Sequence, residues 1–322
     1  MIYMLFDNPA DKQNMTFLGE YETASIQQVY PKRKCNSIKE MLHACKEIID
    51  QSAEGDTIIC WYDFMAVLCG WLCKMRFKKR KIIALNILLK DKDTSKNKLA
   101  KMLYKVVLKS KDVQATVTSK KYGEHLNEML GIKKEYVLLH DIYHGGYSID
   151  YKGNVIPNTV FCGGRNGRDW DFLIEIAKAM PEVTFNCVIP KDKWEQYKES
   201  FSDNMVVKSD IPEKEFLEFM CQSQLVVMPL DTEAPAGLIA FYQATANGKM
   251  SITSDTVTTQ EYFAEGRGSL CRDNVEDWKN EIHYYLQHPA DADACVVKFK
   301  NYLESVCSEE KYAKTLWMML AE

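Results

Sequence analysis

The stretch "SQLVVMPLDTEAPAGLIAFYQATANGKMSITSD", residues 223–255, decides the reading of this chain. "VVMPL" is a short continuous apolar run, as expected of a parallel strand covered on both faces. "DTEAPAG" is an acidic loop of small residues. "LIAFYQATAN" has helical spacing and is stopped by Asn-Gly-Lys, with Gly248 placed to cap it in the left-handed conformation. "MSITSD" follows the helix. Strand, loop and helix in this order fit an alternating α/β pattern. The helix starts at Ala236-Gly237, so Ala236, Gly237 and Leu238 bring main-chain N–H groups that have no acceptor within the helix. Those N–H groups and the helix dipole favour an anion, and Gly237 lets a phosphate approach the backbone closely. Glu233 in the loop can accept hydrogen bonds from sugar hydroxyls. Gln243, two turns inside, either reaches a ribose or is an ordinary exposed helix position.

The same alternation runs outward in both directions. Downstream of residue 158 the order is "NTVFCGG" strand, "DWDFLIEIAKAM" helix with Asp169 as cap, "VTFNCVIP" strand, "DKWEQYKESF" helix, "NMVVKSD" strand and "IPEKEFLEFMCQ" helix. "NVEDWKNEIHYYLQHP" and a helical end follow. The first half begins with "MIYMLF" as a strand. In "SIKEMLHACKEIIDQSAEG", Ser37 and Glu40 form a capping box ahead of helical spacing. Then come "DTIICWY", "FMAVLCGWLCKM", "KIIALNILL", "SKNKLAKMLYKVVLKSK", "VQATVTS" and "KKYGEHLNEML", alternately strand and helix, the last ended by Gly131. The glycine-bearing stretch "HDIYHGGYSIDYKGNVIP" interrupts the pattern and reads as a linker. The fold class is therefore α/β, with two Rossmann-like doubly wound domains, residues 1–150 and 151–322, facing a central cleft. The terminal helix is free to pack back on the first domain. No internal repeat or low-complexity tract is present.

Composition bounds the function. The chain has 322 residues, 46% hydrophobic and 27% charged, which is ample material for two cores. Residues 1–152 carry 25 Lys and Arg against 18 Asp and Glu, whereas residues 153–322 carry 16 against 27. A basic half joined to an acidic half points to an anionic surface as partner of the first. The eleven cysteines sit in apolar runs without a CxxC pair, as small buried side chains of a reducing compartment do. The amino terminus lacks the basic and apolar regions of a secretory signal. The longest apolar stretch, Phe64–Met75, falls well short of the ~20 residues that cross a bilayer. The expected location is cytoplasmic.

In an open α/β sheet, ligands lie beyond the carboxyl ends of strands. At "FCGGRNGRDW" a strand ends in Gly163-Gly164, which permits a tight turn, and Arg165 and Arg168 follow. Two guanidinium groups there suit a diphosphate, because each forks onto phosphate oxygens. The plain alternative is a turn whose arginines pair with Asp169, Asp171 or solvent.

Three segments together resemble the donor domain of GT-B glycosyltransferases of the family-4 type. "AGLIAFYQATANGKMSITSD" is similar to the segment usually written AG…LLEAMA-GKPVI-T. "VFCGGRNGRDWDFLIEIAKAMPEVTF" resembles the strand-helix-strand that opens the domain, and "IPEKEFLEFMCQSQLVVMPL" the helix and strand that follow. The likeness covers about residues 158–290; the first half resembles the family in alternation alone. It implies that Gly163, Gly164, Arg165 and Arg168 hold a donor diphosphate with the backbone of Ala236, Gly237 and Leu238, and that Glu233 touches the transferred sugar. The family's second glutamate, which grips the ribose, falls here on Gln243. A Gly-rich loop after the first strand is not evident after "MIYMLF".

On the acceptor side, Asp63 follows "IICWY" and is either a polar or basic group near the acceptor hydroxyl or a cap of the next helix. Asn86, where many relatives carry a histidine, is implied to contact sugar or acceptor. His140 and His144 lie in the linker and read as loop histidines. In "SKNKLAKMLYKVVLKSK", Leu99, Met102, Leu103, Val106 and Val107 form one face and lysines the rest. Such a helix lies on an anionic membrane or packs on its sheet with a solvated basic face. Nucleic acid fits poorly, since no aromatic stripe accompanies the charge. The Asp-x-Asp patterns "DKD", "DWD" and "DAD" match the manganese motif of another glycosyltransferase fold. The Asp169–Asp171 pair is explained by capping, so no metal and no cofactor is expected.

The sequence thus reads as a transferase that moves a sugar from a nucleotide donor to a hydroxyl of a lipid-linked or polysaccharide acceptor, at the inner face of the cell membrane. Retention of anomeric configuration is what the resemblance implies. Two rivals share the fold: a sugar-nucleotide epimerase, and a non-catalytic nucleotide-sugar binder or partner subunit, the latter favoured by Gln243 and the missing glycine-rich loop.

Overall fold

The computed structural model describes residues 1–10, 26–91 and 94–321. Lys92 and Asp93 of the "DKD" pattern lie outside the described residues, as does the stretch 11–25 in which a glycine-rich first loop would fall. The chain divides into two compact units, Met1–His140 with Glu309–Glu322, and Asp141–Ser308.

The first unit runs β1 (Ile2–Leu5), β2 (Ile26–Val29), α1 (Ile38–Gln51), β3 (Thr57–Cys60), α2 (Asp63–Met75), β4 (Lys81–Ala84), α3 (Ser95–Leu108), β5 (Val113–Val117), α4 (Lys120–Leu130) and β6 (Val137–Leu138). Its strands lie in the order β2-β1-β3-β4-β5-β6, and every pairing is parallel. Leu5 at the end of β1 stands beside Val29 and Cys60, so the carboxyl ends of three strands share one edge. The order reverses direction between β1 and β3, which is the switch point of this sheet. The central strands β3 and β4 are apolar runs buried on both faces, whereas the edge strand β2, "IQQV", exposes its two glutamines.

Local chemistry places the helix ends. Ser37 Oγ accepts from the Glu40 N–H at 3.2 Å. The Glu40 carboxylate reaches one residue farther back than a standard capping box, taking the Asn36 N–H at 2.8 Å. Gly131 closes α4 in the left-handed conformation. In α3 the structure resolves the face question differently from the sequence. Tyr104, Val107 and Leu108 are buried, while Leu99, Met102 and Val106 point outward. Helical spacing marks an apolar stripe but not which neighbour covers it, and here the sheet covers only its inner margin.

The second unit runs β7 (Thr159–Gly163), α5 (Trp170–Lys178), β8 (Thr184–Ile189), α6 (Lys191–Tyr197), β9 (Met205–Ser209), α7 (Glu213–Cys221), β10 (Leu225–Met228), α8 (Leu238–Ala246), β11 (Met250–Ser254), α9 (Val257–Tyr262), β12 (Ser269–Cys271), α10 (Val275–Gln287) and α11 (Pro289–Val306). The last helix, α12 (Glu309–Ala321), belongs to the first unit, where the Met319 carbonyl accepts from Lys81 Nζ at 2.5 Å. The second sheet has the order β12-β11-β10-β7-β8-β9, again all parallel. Counted from β7, that is the 3-2-1-4-5-6 order of a dinucleotide-binding sheet, with its switch point between β7 and β10.

Strand alternation sends side chains to two cores. Val160, Cys162, Leu225 and Val227 join Leu173, Phe185 and Trp278 on one face. Phe161, Val226 and Met228 join Phe241, Tyr242 and Phe299 on the other. Each fully buried aromatic contributes roughly 1.5–3 kcal/mol of transfer free energy, so both faces anchor the carboxyl edge rigidly. The glycine-bearing segment after residue 140 is not a loose tether. Its Tyr143 N–H donates to the Cys307 carbonyl at 2.8 Å, and Asn247 holds it from both sides, accepting from the Ile149 N–H at 3.0 Å and donating to the Tyr147 carbonyl at 2.8 Å.

Candidate functional site

The second switch point is closed by hydrogen bonds between the loop after β7 and the loop after β10. The Asp169 N–H donates to the Pro229 carbonyl at 3.0 Å and the Asp231 N–H to the Gly167 carbonyl at 3.1 Å, around an antiparallel bridge between Arg168 and Leu230. Two glycines make the closure possible. Gly164 adopts φ +126°, and a Cβ there would collide with the Arg168 guanidinium. Gly237 adopts φ +81° as the residue before α8, and a Cβ there would meet Met228 Sδ at 2.7 Å and Arg168 Nη1 at 3.3 Å.

Arg168 is therefore folded back over the switch point, between the end of β7 and the start of α8. Its Nε donates to the Gly163 carbonyl at 3.0 Å and its Nη1 to the Asn166 carbonyl at 2.7 Å. Among the described residues, Nη2 has no hydrogen-bond partner and no carboxylate is in ion-pair contact. Only 8% of the residue is exposed. Burial pushes the guanidinium pKa down to about 10, opposed by the fields of Cys162 and Asp231, so it remains a cation at neutral pH. A buried charge with main-chain partners alone is costly, and an anion in the same place removes that cost. The start of α8 adds to the attraction. Gly237 offers no side-chain cap, so the first N–H groups of the helix are uncapped by any side chain.

The other expected site residues fall around this point with distinct partners. Arg165 is exposed and bound to Asp210, which follows β9, at 2.8 Å; the two arginines thus do not face one another as a pair. Gly163 is the last residue of β7, and Ala236 and Leu238 flank Gly237 as buried residues. Glu233 is half-buried. Its Oε2 accepts from the Val257 N–H at 2.7 Å and its carbonyl from Thr258 Oγ1 at 2.9 Å, which ties the loop to the start of α9. Its Oε1 has no partner among the described residues. Gln243 is buried, and its Nε2 donates to Glu213 Oε1 at 3.1 Å. Glu213 begins α7, directly after Pro212, and no reading of the sequence singled it out. The one local signal was an acid in the first turn of a helix that follows a strand.

In the first unit, Asp63 and Asn86 have architectural partners. Asp63 is 3% exposed at the start of α2. Its Oδ1 accepts from the Phe64 N–H at 2.9 Å, and its Oδ2 from the Leu88 N–H at 2.9 Å and the Tyr104 hydroxyl at 2.7 Å. Burial raises its pKa in spite of these three donors. Asn86 follows β4 at φ +42°; its N–H donates to Thr116 Oγ1 at 2.7 Å and its Oδ1 accepts from that hydroxyl at 2.8 Å. His144 Nδ1 accepts from the Gly146 N–H at 3.1 Å, with the ring stacked on Tyr147. A cavity of about 750 Å³ lies in the first unit among Leu5, Val29, Tyr30, Cys35 and Ile48. The eleven cysteines are all free and buried. Among the described residues no group of three or more His, Cys, Asp or Glu could hold a metal ion, and no helix is long and apolar enough to cross a membrane.

Comparison with known proteins bears on the fold. Residues 165–315 match the family described as glycosyl transferase-like. No curated protein matches the chain in sequence. Among solved structures, the chain is similar to Anabaena HepE in complex with UDP-glucose, at 12% identity over 100% of this chain and 99% of that one, with a TM-score of 0.73. It is similar to a UDP-forming α,α-trehalose-phosphate synthase from Burkholderia vietnamiensis at 8% identity, 99% of each chain and a TM-score of 0.71. A third is WaaG, a glycosyltransferase involved in lipopolysaccharide biosynthesis, at 13% identity, 97% of this chain and 98% of that one, with a TM-score of 0.65. Two parallel Rossmann-like sheets and these neighbours make the fold GT-B.

Proposed function

We propose that this chain, whose residues 165–315 match a family described as glycosyl transferase-like, is a glycosyltransferase that takes its sugar from a nucleoside-diphosphate donor held at the β7–β10 switch point. The observation that carries the reading is Arg168, a buried cation without a carboxylate partner beside a helix start without a side-chain cap. A diphosphate there receives the Nη2 donors of Arg168 and the N–H groups that open α8, in a water-poor setting that strengthens both. In transfer, the bond from the anomeric carbon to the phosphate oxygen breaks and its electron pair stays on that oxygen. The acceptor oxygen bonds to the anomeric carbon, and its proton passes to the departing phosphate. Charge grows on the diphosphate as the bond stretches, so these fixed donors bind the transition state more strongly than the donor itself. Attack from the side of the departing group retains the configuration.

Further contacts follow from the same placement. Glu233 keeps Oε1 for hydroxyls of the transferred sugar, because Val257 occupies only Oε2. Gln243 meets the ribose with a carboxylate, Glu213, one hydrogen bond behind it. A uridine diphosphate donor is favoured by the UDP-glucose bound to HepE, a protein of the same fold. The acceptor is a hydroxyl on a lipid-linked or growing polysaccharide, reached at the cytoplasmic face of a membrane that the lysine-rich first unit contacts peripherally. Asp63 and Asn86 support the acceptor side by holding the first unit's strand ends in place.

The test is direct. Purified protein is titrated with UDP and GDP by calorimetry and incubated with a panel of nucleotide sugars, with and without lipid-linked glycan acceptors. Tight UDP binding and acceptor-dependent UDP release are expected, with Arg168→Ala losing about 10–100-fold in nucleotide affinity. Unchanged affinity in that variant removes the diphosphate assignment. Stabilisation by the donor without turnover would make the protein a binder, and interconversion of donors without acceptor an epimerase.

A further inference from the structure

We infer that the first unit docks on an anionic lipid bilayer through two adjoining segments, the turn that ends α2 and the outward stripe of α3. The inference gives residues to the membrane contact proposed above and rests on that reading for its setting alone.

The turn after α2 is built against local preference. The Lys78 N–H donates to the Cys73 carbonyl at 2.9 Å and the Phe77 N–H to the Lys74 carbonyl at 3.4 Å. That pair of bonds is a Schellman closure, whose middle residue is usually glycine because the left-handed conformation crowds a Cβ. The residue there is Phe77, at φ +54° and 95% exposed. Neither the turn nor the core accounts for an aromatic ring at that place. The geometry is nonetheless held firmly: Asp50 Oδ1 accepts from Arg76 at 3.0 Å and Lys78 at 2.9 Å, on either side of the ring. Backbone held in an uncommon conformation while presenting a side chain outward is a mark of function. Met75, two residues earlier, is exposed as well.

The second segment is the stripe of α3. Leu99, Met102 and Val106 are exposed and follow one another by three and four residues, which aligns them along one side of the helix. The two segments come together because α2 and α3 pack closely: a Cβ on Gly70 would meet Val107 Cγ1 at 2.5 Å. The ends of both helices therefore line a cavity of about 270 Å³, with Lys74, Lys78 and Arg80 from one side and Val106 and Lys109 from the other.

Charge decides what covers this surface. Lys74, Lys79, Lys105 and Lys109 are exposed around the apolar residues, and none has a carboxylate partner among the described residues. Asp50 and Asp91 on this side are already bound, to Arg76 and Lys78 and to Lys101, and Asp112 lines the cavity among its cations. Complementing the carboxyl-terminal dipoles explains Lys74 and Lys109 but not the apolar stripe. An apolar partner would explain the stripe but not the ring of lysines. An interface of acyl chains below and anionic headgroups above satisfies both, with Phe77 at headgroup depth.

Full-length protein is floated with phosphatidylcholine vesicles with and without phosphatidylglycerol, at low and high salt. Binding is expected only to the anionic vesicles, weakening as salt rises. Phe77→Gly is expected to lower vesicle partitioning about tenfold while leaving the melting temperature equal or higher, since glycine relieves the turn. A ring with a merely structural role would give the opposite pattern. Lys105→Glu with Lys109→Glu is expected to reduce partitioning about tenfold and flatten the salt dependence. Equal binding to neutral vesicles, or unchanged partitioning in both variants, overturns the inference. A lipid-free dimer abolished by Phe77→Gly does so too and assigns the face to a second copy of the chain. UDP affinity is measured in the same preparations: its absence in the wild type removes the donor reading and leaves vesicle binding to stand by itself.

Discussion

The switch points of the two sheets hold opposite charges, and the difference lies in how fully each is satisfied. At the first, the buried ion is Asp63, with two oxygens and three donors from α2, the segment after β4, and α3. At the second, the buried ion is Arg168, whose partners are two carbonyls of its own loop. A buried ion with its bonds complete is part of the architecture; one with donors to spare is set for a ligand. The comparison separates a polar group that folds a unit from one that waits for substrate, although both sit at equivalent places in similar sheets.

The largest expected effect breaks the comparison at its architectural end. Asp63→Ala orphans three donors at once and is expected to destabilise the protein by about 3–5 kcal/mol, read by denaturant unfolding. Nucleotide affinity of the folded fraction should hold. Arg168→Met is the mirror case. Loss of an uncompensated buried cation offsets the loss of its two bonds, so apo stability should move by less than about 1 kcal/mol, while UDP binding falls. If Asp63→Ala removed nucleotide binding without destabilising, or Arg168→Met unfolded the protein, the assignment of roles would be reversed.

An intermediate effect sharpens the donor side. The Gln243–Glu213 pair places a carboxylate behind an amide where a carboxylate alone would serve a ribose. Glu213→Gln is expected to weaken UDP binding about 3–10-fold, the range for one charge-assisted hydrogen bond, and to weaken 2′-deoxy-UDP much less. Equal losses for both nucleotides would mean that the pair only fastens α7 to α8. Gln243→Glu should not improve affinity, because two carboxylates at this separation repel.

Much of this was legible in the sequence, for reasons that differ between the units. Strands of a parallel sheet are buried on both faces, so β7, β8 and β10 read as apolar runs between helical patterns. Gly237, Gly248 and Asp169 were legible because each meets a local backbone demand. The edge strand β2 was not, since its two exposed glutamines carry no strand signal. Arg165 and Arg168 looked equivalent three residues apart. Only the tertiary closure onto Leu230 buries one, while Asp210, distant in sequence, holds the other at the surface. Glu213 was invisible because its meaning comes from Gln243 on another helix. The stripe of α3 was visible as a period, but only the sheet beneath it says which residues remain uncovered.

The smallest expected effect concerns a cation pair that is complete, as a counterpart to Arg168. Asp50 is held below the ordinary carboxylate range, first by its bond to Lys78 and then, against some desolvation, by the charges of Lys78 and Arg76. A carboxyl group whose pKa is lowered by folding stabilises the protein above its unfolded pKa, and that contribution is lost as pH falls through the folded value. Asp50→Asn should therefore melt slightly below wild type at neutral pH. The gap should narrow as pH drops below the usual aspartate value of about 3.9 and disappear once the wild-type carboxyl is protonated. The group is half exposed, so salt should shrink the gap too. A gap that stayed constant with pH would mean that Asp50 holds the Phe77 turn by shape and hydrogen bonding rather than charge. In that case Asp50→Asn would leave vesicle partitioning untouched, whereas a charge clamp on Arg76 and Lys78 predicts that it changes.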